Sequence, residues 1–117
     1  MESNDFSGYI LPTSNPETIS VAASNRSDEL TEQSNFGNST VTVAAPGNQI
    51  LSLAPDRLFE DQYSRSSGTS VAAPQVTGIV CLLRELDSEL HHRSIKQLIK
   101  KGAVALLKSL VSYISSR

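Results

Sequence analysis

The chain has 117 residues, of which 38% are hydrophobic and 19% charged, and its formal net charge at pH 7 is −2. This length suits one domain of ordinary size, and the composition is typical of a globular protein rather than a disordered one. The weakly acidic balance makes nucleic acid a poor partner, and no apolar run approaches the roughly 20 residues of a membrane span. The N-terminal residues have neither the basic nor the apolar segment of a secretion signal.

Short β-rich runs dominate the first half of the chain, and each is closed by turn residues. The second run stops at Pro46 and Gly47, which form a strong turn signal. The predicted strands are residues 18–23, 40–45 and 50–53, with a brief further strand around Gln62 and Tyr63, and residues 1–17 are predicted to be loop.

In the second half the apolar spacing changes to three and four residues over residues 69–90, which predicts a helix, with a polar break or fraying end at residues 87–92. Pro74 is expected in its first turn, where a missing amide proton costs little. Ser94 begins a capping-box pattern for a second helix that ends near Lys101. Residues 103–114 are apolar again, at a spacing that leaves helix and strand both open. Short strands followed by helices predict an α/β fold with a mainly parallel sheet.

The sequence has one cysteine, Cys81, so no disulfide can form within the chain. It lies in the apolar run of residues 78–83, and we predict a buried side chain that packs as a small hydrophobe on the first helix. The alternative is a reactive thiol. It would need a nearby histidine or cationic cluster, which the neighbouring sequence lacks.

Residues 67–78 combine the features that a serine nucleophile needs. Its hydroxyl must be exposed and close to dipoles that stabilise an oxyanion, and a helix N-terminus offers both because its first amide protons are free. Gly68 allows a tight backbone approach just before the helix, and Ser70 then falls at the helix start. The alternative is a helix cap with no chemistry, because serine caps are common.

The run Ser-Gly-Thr-Ser-Val-Ala-Ala-Pro-Gln-Val-Thr-Gly at residues 67–78 closely resembles the nucleophile signature of the subtilisin-like peptidases, Gly-Thr-Ser-Met-Ala-x-Pro-His-Val-x-Gly. Two positions depart from the signature. Val71 stands where Met is usual, and Gln75 stands where His is usual, which removes a family-typical polar side chain near the serine. Further similarities to family segments lie at residues 19–23 (Val-x-Ala-Val-Ala-Ala), 34–37 (Ser-Asn-Tyr-Gly) and 41–47 (Val-Asp-Val-Ala-Ala-Pro-Gly).

The resemblance covers about residues 9–101 and implies a partial subtilisin-like three-layer fold, with residues 1–117 as the C-terminal part of the catalytic domain. It implies that Ser70 is the nucleophile of a serine endopeptidase that hydrolyses protein or peptide substrates by acyl transfer. It also implies a secreted or vesicular location and calcium as a metal that members commonly bind, although no Asp-rich loop is visible. The residues that it implies for the substrate cleft and its support are Asn35, Gly37, Pro46, Gly47, Gly68 and Thr69.

The catalytic Asp and His of this family precede the serine, as does an oxyanion-hole Asn. Both histidines of this sequence, His91 and His92, follow Ser70. If the intervening segment is one helix, His91 lies about 30 Å along its axis from Ser70. We predict that both are solvated helix-end residues rather than a base or metal ligands. No Asp stands in the family's Asp-Thr/Ser-Gly context, and Asn4 lacks the Ala-Gly that precedes the oxyanion Asn. We therefore expect the partners of Ser70 in a missing N-terminal half and a nearly inert isolated chain. The alternative function is a non-catalytic fragment that binds or complements that half.

Overall fold

The computed structural model describes residues 15–32, 34, 41–55 and 62–103, and within them short strands precede two helices. The predicted loop before residue 15 and the apolar tail after residue 103 lie outside the described residues. The strands are β1 (Val21–Ser24), β2 (Val43–Pro46), β3 (Ile50–Leu53) and β4 (Tyr63–Ser66), and the helices are α1 (Thr69–Leu86) and α2 (His92–Gly102).

The strands form two pairs of different kinds. β1 and β2 are parallel, with Val21 opposite Val43, whereas β3 and β4 form an antiparallel hairpin with Ile50 opposite Ser66. Parallel strands need cover on their faces, and α1 packs against both β1 and β2. The predicted parallel sheet is therefore found in β1 and β2, and the hairpin is a separate antiparallel sheet.

The core is aliphatic and lies between the parallel pair and the two helices. Ala23 and Ala72 are fully buried, and their small side chains allow α1 to approach β1 closely. α2 contributes two isoleucines, Ile95 and Ile99, to the same core. The buried cluster consists of Ala23, Ala45, Ala72, Val76, Ile95 and Ile99.

The orientation of α1 explains why Cys81 is exposed. Ala72 and Val76, one turn apart, are buried and set the face of α1 that packs on the sheet. Cys81 follows Val76 by five residues, which carries its side chain about 140° around the helix axis. Cys81 is exposed, so the prediction of a buried thiol is wrong. The polar break predicted from residue 87 is confirmed, because α1 ends at Leu86 and the backbone of its C-cap, Asp87, is extended (φ −149°).

The start of α2 differs from the capping box predicted at Ser94. His91 is the N-cap, and its Nδ1 accepts a hydrogen bond from the N–H of Arg93 at 3.2 Å. Nε2 of His92 lies 3.2 Å from a carboxylate oxygen of Glu17, in the segment that precedes β1. Both histidines are exposed at a helix end, as the sequence predicts, but they also cap α2 and hold a neighbouring segment.

Charged contacts fix the segment before β1 to α2. The guanidinium of Arg93 donates to Glu17 at 2.7 Å. This hydrogen bond and the contact with His92 hold the pKa of the Glu17 carboxyl below its usual range. Nζ of Lys96 donates to the backbone carbonyl of Thr18 at 2.8 Å. These contacts join the chain that enters β1 to a helix far along the sequence.

Candidate active site at the N-terminus of helix α1

Three backbone segments meet at the carboxyl ends of the parallel strands, beside the start of α1. The N–H of Gly47, which follows β2, donates to the carbonyl of Ser24 at the end of β1 at 2.9 Å. The N–H of Gly68 donates in turn to the carbonyl of Gly47 at 2.7 Å. Open α/β sheets place their binding crevices at this edge. The two hydrogen bonds therefore anchor the turn that opens α1 at the edge where a site is expected.

Gly47 is the residue on which this close approach depends. A Cβ at Gly47 would lie 2.5 Å from the Cβ of Ala23 and 2.8 Å from the carbonyl oxygen of Gly68. Both distances are shorter than non-bonded contacts allow, and neither neighbour is a flexible side-chain end. Only glycine fits between β1 and the turn before α1.

Gly68 is needed for its backbone conformation rather than for space. It is the N-cap of α1 with φ 129° and ψ 173°, a region that L side chains rarely adopt. No side chain in the described part of the chain caps the helix, and its first turn has no acidic residue. The N–H of Val71 is taken up by the Gly68 carbonyl at 3.2 Å. The start of α1 thus keeps the positive partial charge of a helix N-terminus.

Ser70 is the second residue of α1, and it is exposed. Its Oγ lies 3.7 Å from the position that a Cβ on Gly68 would occupy, so the absent side chain leaves room beside the hydroxyl. An exposed hydroxyl next to the amide groups of a helix N-terminus has the electrostatic setting that favours charge on a nearby oxygen. The local geometry therefore suits a nucleophile.

Pro74 lies deeper in α1 than the sequence predicts. It is inside the helix rather than in its first turn. A residue at this position would normally donate its N–H to the carbonyl of Ser70, and proline has no N–H to donate. The expectation that Pro74 costs little is therefore wrong, because it removes a helical hydrogen bond at Ser70 itself.

Gln75, which replaces the family's usual His, links α1 to the end of β2. Its Nε2 donates to the carbonyl of Pro46 at 2.5 Å and to that of Val71 at 3.0 Å. Pro46 immediately precedes Gly47, so the amide of Gln75 supports the same turn that holds Gly68. The departure from the family signature therefore retains a polar contact in this place.

A second support, which the sequence reasoning missed, comes from Ser67. Its Oγ accepts a hydrogen bond from the N–H of Gln49 at 2.8 Å and donates to Oδ1 of Asn48 at 3.2 Å. Arg65 donates to the Gln49 carbonyl at 2.9 Å. In the sequence, this contact could have been predicted from two features: the polar residues Asn48 and Gln49, which follow β2, and a serine directly before Gly68.

The structure brings some predicted residues together and separates others. Pro46, Gly47, Gly68, Thr69 and Ser70 meet at the start of α1. Two further predicted cleft residues, Asn35 and Gly37, lie outside the described residues. His91 and His92 lie beyond the C-terminal end of α1, about 24 Å along its axis from the serine, so neither can reach the hydroxyl.

The acidic residues build no metal centre in the part of the chain that the structure describes. Asp87 is the C-cap of α1, and its Oδ1 accepts from the N–H of Glu89 at 3.0 Å. Among the described residues, no group of three His, Cys, Asp or Glu side chains could hold a metal ion. Nor does a helix in these residues have the length and apolar character to cross a membrane. Asn4 lies outside the described residues, and so do Asp5, Asp56 and Asp61.

Comparison with known proteins identifies the family. The model of the subtilase family matches residues 1–114. The chain belongs to the subtilase family. Subtilisin-like protease 1 of Plasmodium falciparum (isolate 3D7) is 33% identical to this subtilase chain over 111 residues, which cover 89% of the chain and 16% of that protein. The major intracellular serine protease of Bacillus subtilis (strain 168) is 34% identical over 86 residues, which cover 74% of the chain and 25% of that protein.

A solved structure supports the same family and fold. The crystal structure of a cold adapted subtilisin-like serine proteinase matches with a TM-score of 0.75 and 27% identity, over 92% of this chain and 39% of that one. The resemblance found in the sequence and the predicted α/β fold with a parallel sheet are thus confirmed. The subtilase chain spans only 16% to 25% of the length of the two curated relatives.

Proposed function

We propose that this subtilase chain carries the nucleophile of a serine endopeptidase and that the nucleophile is Ser70. One observation carries the proposal: an exposed serine hydroxyl lies at a helix N-terminus that no described side chain caps, two residues after a glycine with positive φ. The first amide groups of α1 and its dipole would stabilise negative charge on the oxygen of an attacked carbonyl. Family membership supports protein substrates.

In the proposed reaction, Oγ of Ser70 attacks the carbonyl carbon of the scissile peptide bond. The hydroxyl proton passes to a histidine base and then to the leaving amine, while the acyl part of the substrate stays on Ser70 as an ester. Water attacks the ester, the base takes a proton from the water and returns it to Oγ, and the carboxylic acid leaves. Because His91 and His92 lie beyond the far end of α1, we propose that the base and its aspartate come from polypeptide outside these 117 residues.

The cleft beside Ser70 is part of the same proposal. We propose that Pro46, Gly47 and Thr69 support its wall, a role favoured by the hydrogen bond that joins Gly47 to the turn before Thr69. Asn35 and Gly37, which the family resemblance implies for this cleft, stay predictions. Calcium binding and a secreted or vesicular location, which the resemblance also implies, stay predictions as well.

Active-site labelling with a fluorophosphonate, a probe that reacts with activated serines, tests the proposal. We expect the isolated chain to label no more than its Ser70→Ala variant, because a serine without its base retains little reactivity. Fused behind the upstream part of the Bacillus subtilis relative's catalytic domain, the chain should label strongly. Labelling should disappear in Ser70→Ala and persist in Ser66→Ala, an exposed serine on β4.

Two outcomes would contradict the proposal. Labelling of the fused protein that survives Ser70→Ala would assign the nucleophile to another residue. Robust peptide cleavage by the isolated chain, lost in Ser70→Ala, would show that the base lies within the chain after all.

A second function, a non-catalytic module that binds the remainder of such a domain, is favoured by the apolar surface of α1. Leu82 is 63% exposed and Leu86 is 84% exposed, which is unusual for large side chains on neighbouring turns of one helix. Binding to the separately expressed upstream part without any labelling of Ser70 would support this function. In that experiment Leu82→Asp should weaken binding, whereas Glu85→Gln, a polar exchange on the same helix, should not.

A further inference from the structure

An open apolar groove lies between β2, α1 and α2. Its volume is about 650 Å³. Its floor is formed by core residues, and its rims include Ile79, which is 48% exposed, and Leu98, which is 45% exposed. The main apolar lining residues are Val43, Val76, Ile79, Leu83, Leu98 and Ile99. An apolar surface that continues into the core usually has an occupant.

The chain leaves the described structure at this groove. Gly102, at the end of α2, and Ala103, the last described residue, both belong to the groove lining. Residues 104–117 therefore start from the groove itself. No segment of the chain needs to cross the protein surface to reach it.

Residues 104–117 have the apolar composition that a segment needs to bind in this groove. The only charged side chains in it are those of Lys108 and Arg117. Its large apolar residues recur at intervals of one to three, which allows several of them to face one surface together. These residues are Val104, Leu106, Leu107, Leu110, Val111 and Ile114.

We propose that residues 104–117 of this chain bind in the groove and cover Ile79 and Leu98. Reach does not limit this contact. Ala103 and Ile79 line the same groove, and the 14 residues that follow Ala103 span about 21 Å as a continuous helix and more when extended. The covalent link also gives the segment an effective concentration in the millimolar range, so it outcompetes a second copy present at micromolar concentration.

Photo-cross-linking in the full 117-residue chain tests this proposal. A benzophenone-bearing phenylalanine analogue replaces Leu107, and the products of irradiation are mapped by mass spectrometry. We expect cross-links to α1 and α2 within one molecule, at a yield that does not depend on protein concentration. A monomer band on a denaturing gel separates these products from cross-linked dimers.

A matched pair of variants on α1 sharpens the test. Ile79 lines the groove, whereas Leu82 is exposed on the same helix but does not line it. Ile79→Asp should lower the groove cross-links at least about tenfold, because an unpaired carboxylate is costly to bury under an apolar segment. Leu82→Asp should leave them unchanged. Far-UV circular dichroism checks that both variants keep their helices.

The proposal is overturned by any of three results. Cross-links that form only between molecules would assign the groove to a second copy. Cross-links that avoid α1 and α2 would assign the groove to an external partner. Equal effects of Ile79→Asp and Leu82→Asp on the cross-link yield would show that the cross-linked contact does not depend on the groove. If one Asp variant unfolds, the cross-links mapped in the chain without that substitution still test the proposal.

Discussion

The substitution Gly47→Ala tests whether the turn beside Ser70 is built on close backbone packing. The added methyl would lie 2.5 Å from the Cβ of Ala23 and 2.8 Å from the carbonyl oxygen of Gly68. Overpacking of a filled site costs about 1–3 kcal/mol. Displacement of Gly68 would also weaken its hydrogen bond to Gly47, a further loss of about 1 kcal/mol. We therefore expect the free energy of unfolding to fall by about 2–4 kcal/mol.

The matched control is Gly78→Ala on the exposed side of α1. A Cβ at Gly78 would meet nothing within 4 Å, and alanine favours a helix interior over glycine by about 0.5–1 kcal/mol. Urea unfolding followed by circular dichroism measures both variants. With a slope of about 2 kcal/mol per molar urea, the midpoint for Gly47→Ala should fall by about 1–2 M. Gly78→Ala should raise the midpoint slightly. Equal midpoints for the wild-type chain and Gly47→Ala would refute the packing argument.

Further predictions concern a buried hydroxyl pair and a surface carboxylate. Ser34→Ala should destabilise the chain by about 1–3 kcal/mol, because it removes the hydroxyl that accepts the buried N–H of Ala23 at 2.8 Å. Ser20→Ala should be neutral or stabilising, since the buried Ser20 hydroxyl has no hydrogen-bond partner in the described part of the chain. A lower urea midpoint for Ser20→Ala than for Ser34→Ala would contradict both assignments. Glu17, whose folded pKa is held below the ordinary value of 4.5 chiefly by Arg93, contributes stability that is present above pH 4.5 and lost as the pH falls through the folded pKa. Unfolding midpoints measured from pH 6 to pH 3 should show this loss in the wild-type chain and less of it in Glu17→Gln, and identical pH profiles would count against the contact.

The sequence predicted the elements whose signals are local. β3 occupies residues 50–53 as predicted, because a short apolar run lies between turn residues on both sides. α1 begins at Thr69, where the apolar spacing changes and Gly68 precedes it. The left-handed backbone of Gly68 fits the tight approach that the motif predicted, since a glycine before a helix costs no steric strain in that region.

Features that depend on distant contacts could not be predicted. The start of α2 at His92 involves Glu17, which is separated from its partner Arg93 by 76 residues. The exposure of Cys81 follows from which face of α1 packs on the sheet, and the spacing of apolar residues alone leaves that choice open. The contact from Gln75 to Pro46 likewise requires that β2 and α1 already lie side by side. In each case the local pattern was compatible with more than one environment.

The position of Ser70 and its reactivity have separate physical origins. Position depends on backbone hydrogen bonds that run from Ser24 through Gly47 to Gly68, and all three residues lie within the described chain. Reactivity depends on proton transfer to a base, and neither histidine of the chain lies within reach of Ser70. A variant that disturbs the turn, such as Gly47→Ala, should therefore lower both stability and labelling of the fused protein. The loss of the base should abolish labelling while leaving stability unchanged, so the two measurements together distinguish a misplaced nucleophile from an unactivated one.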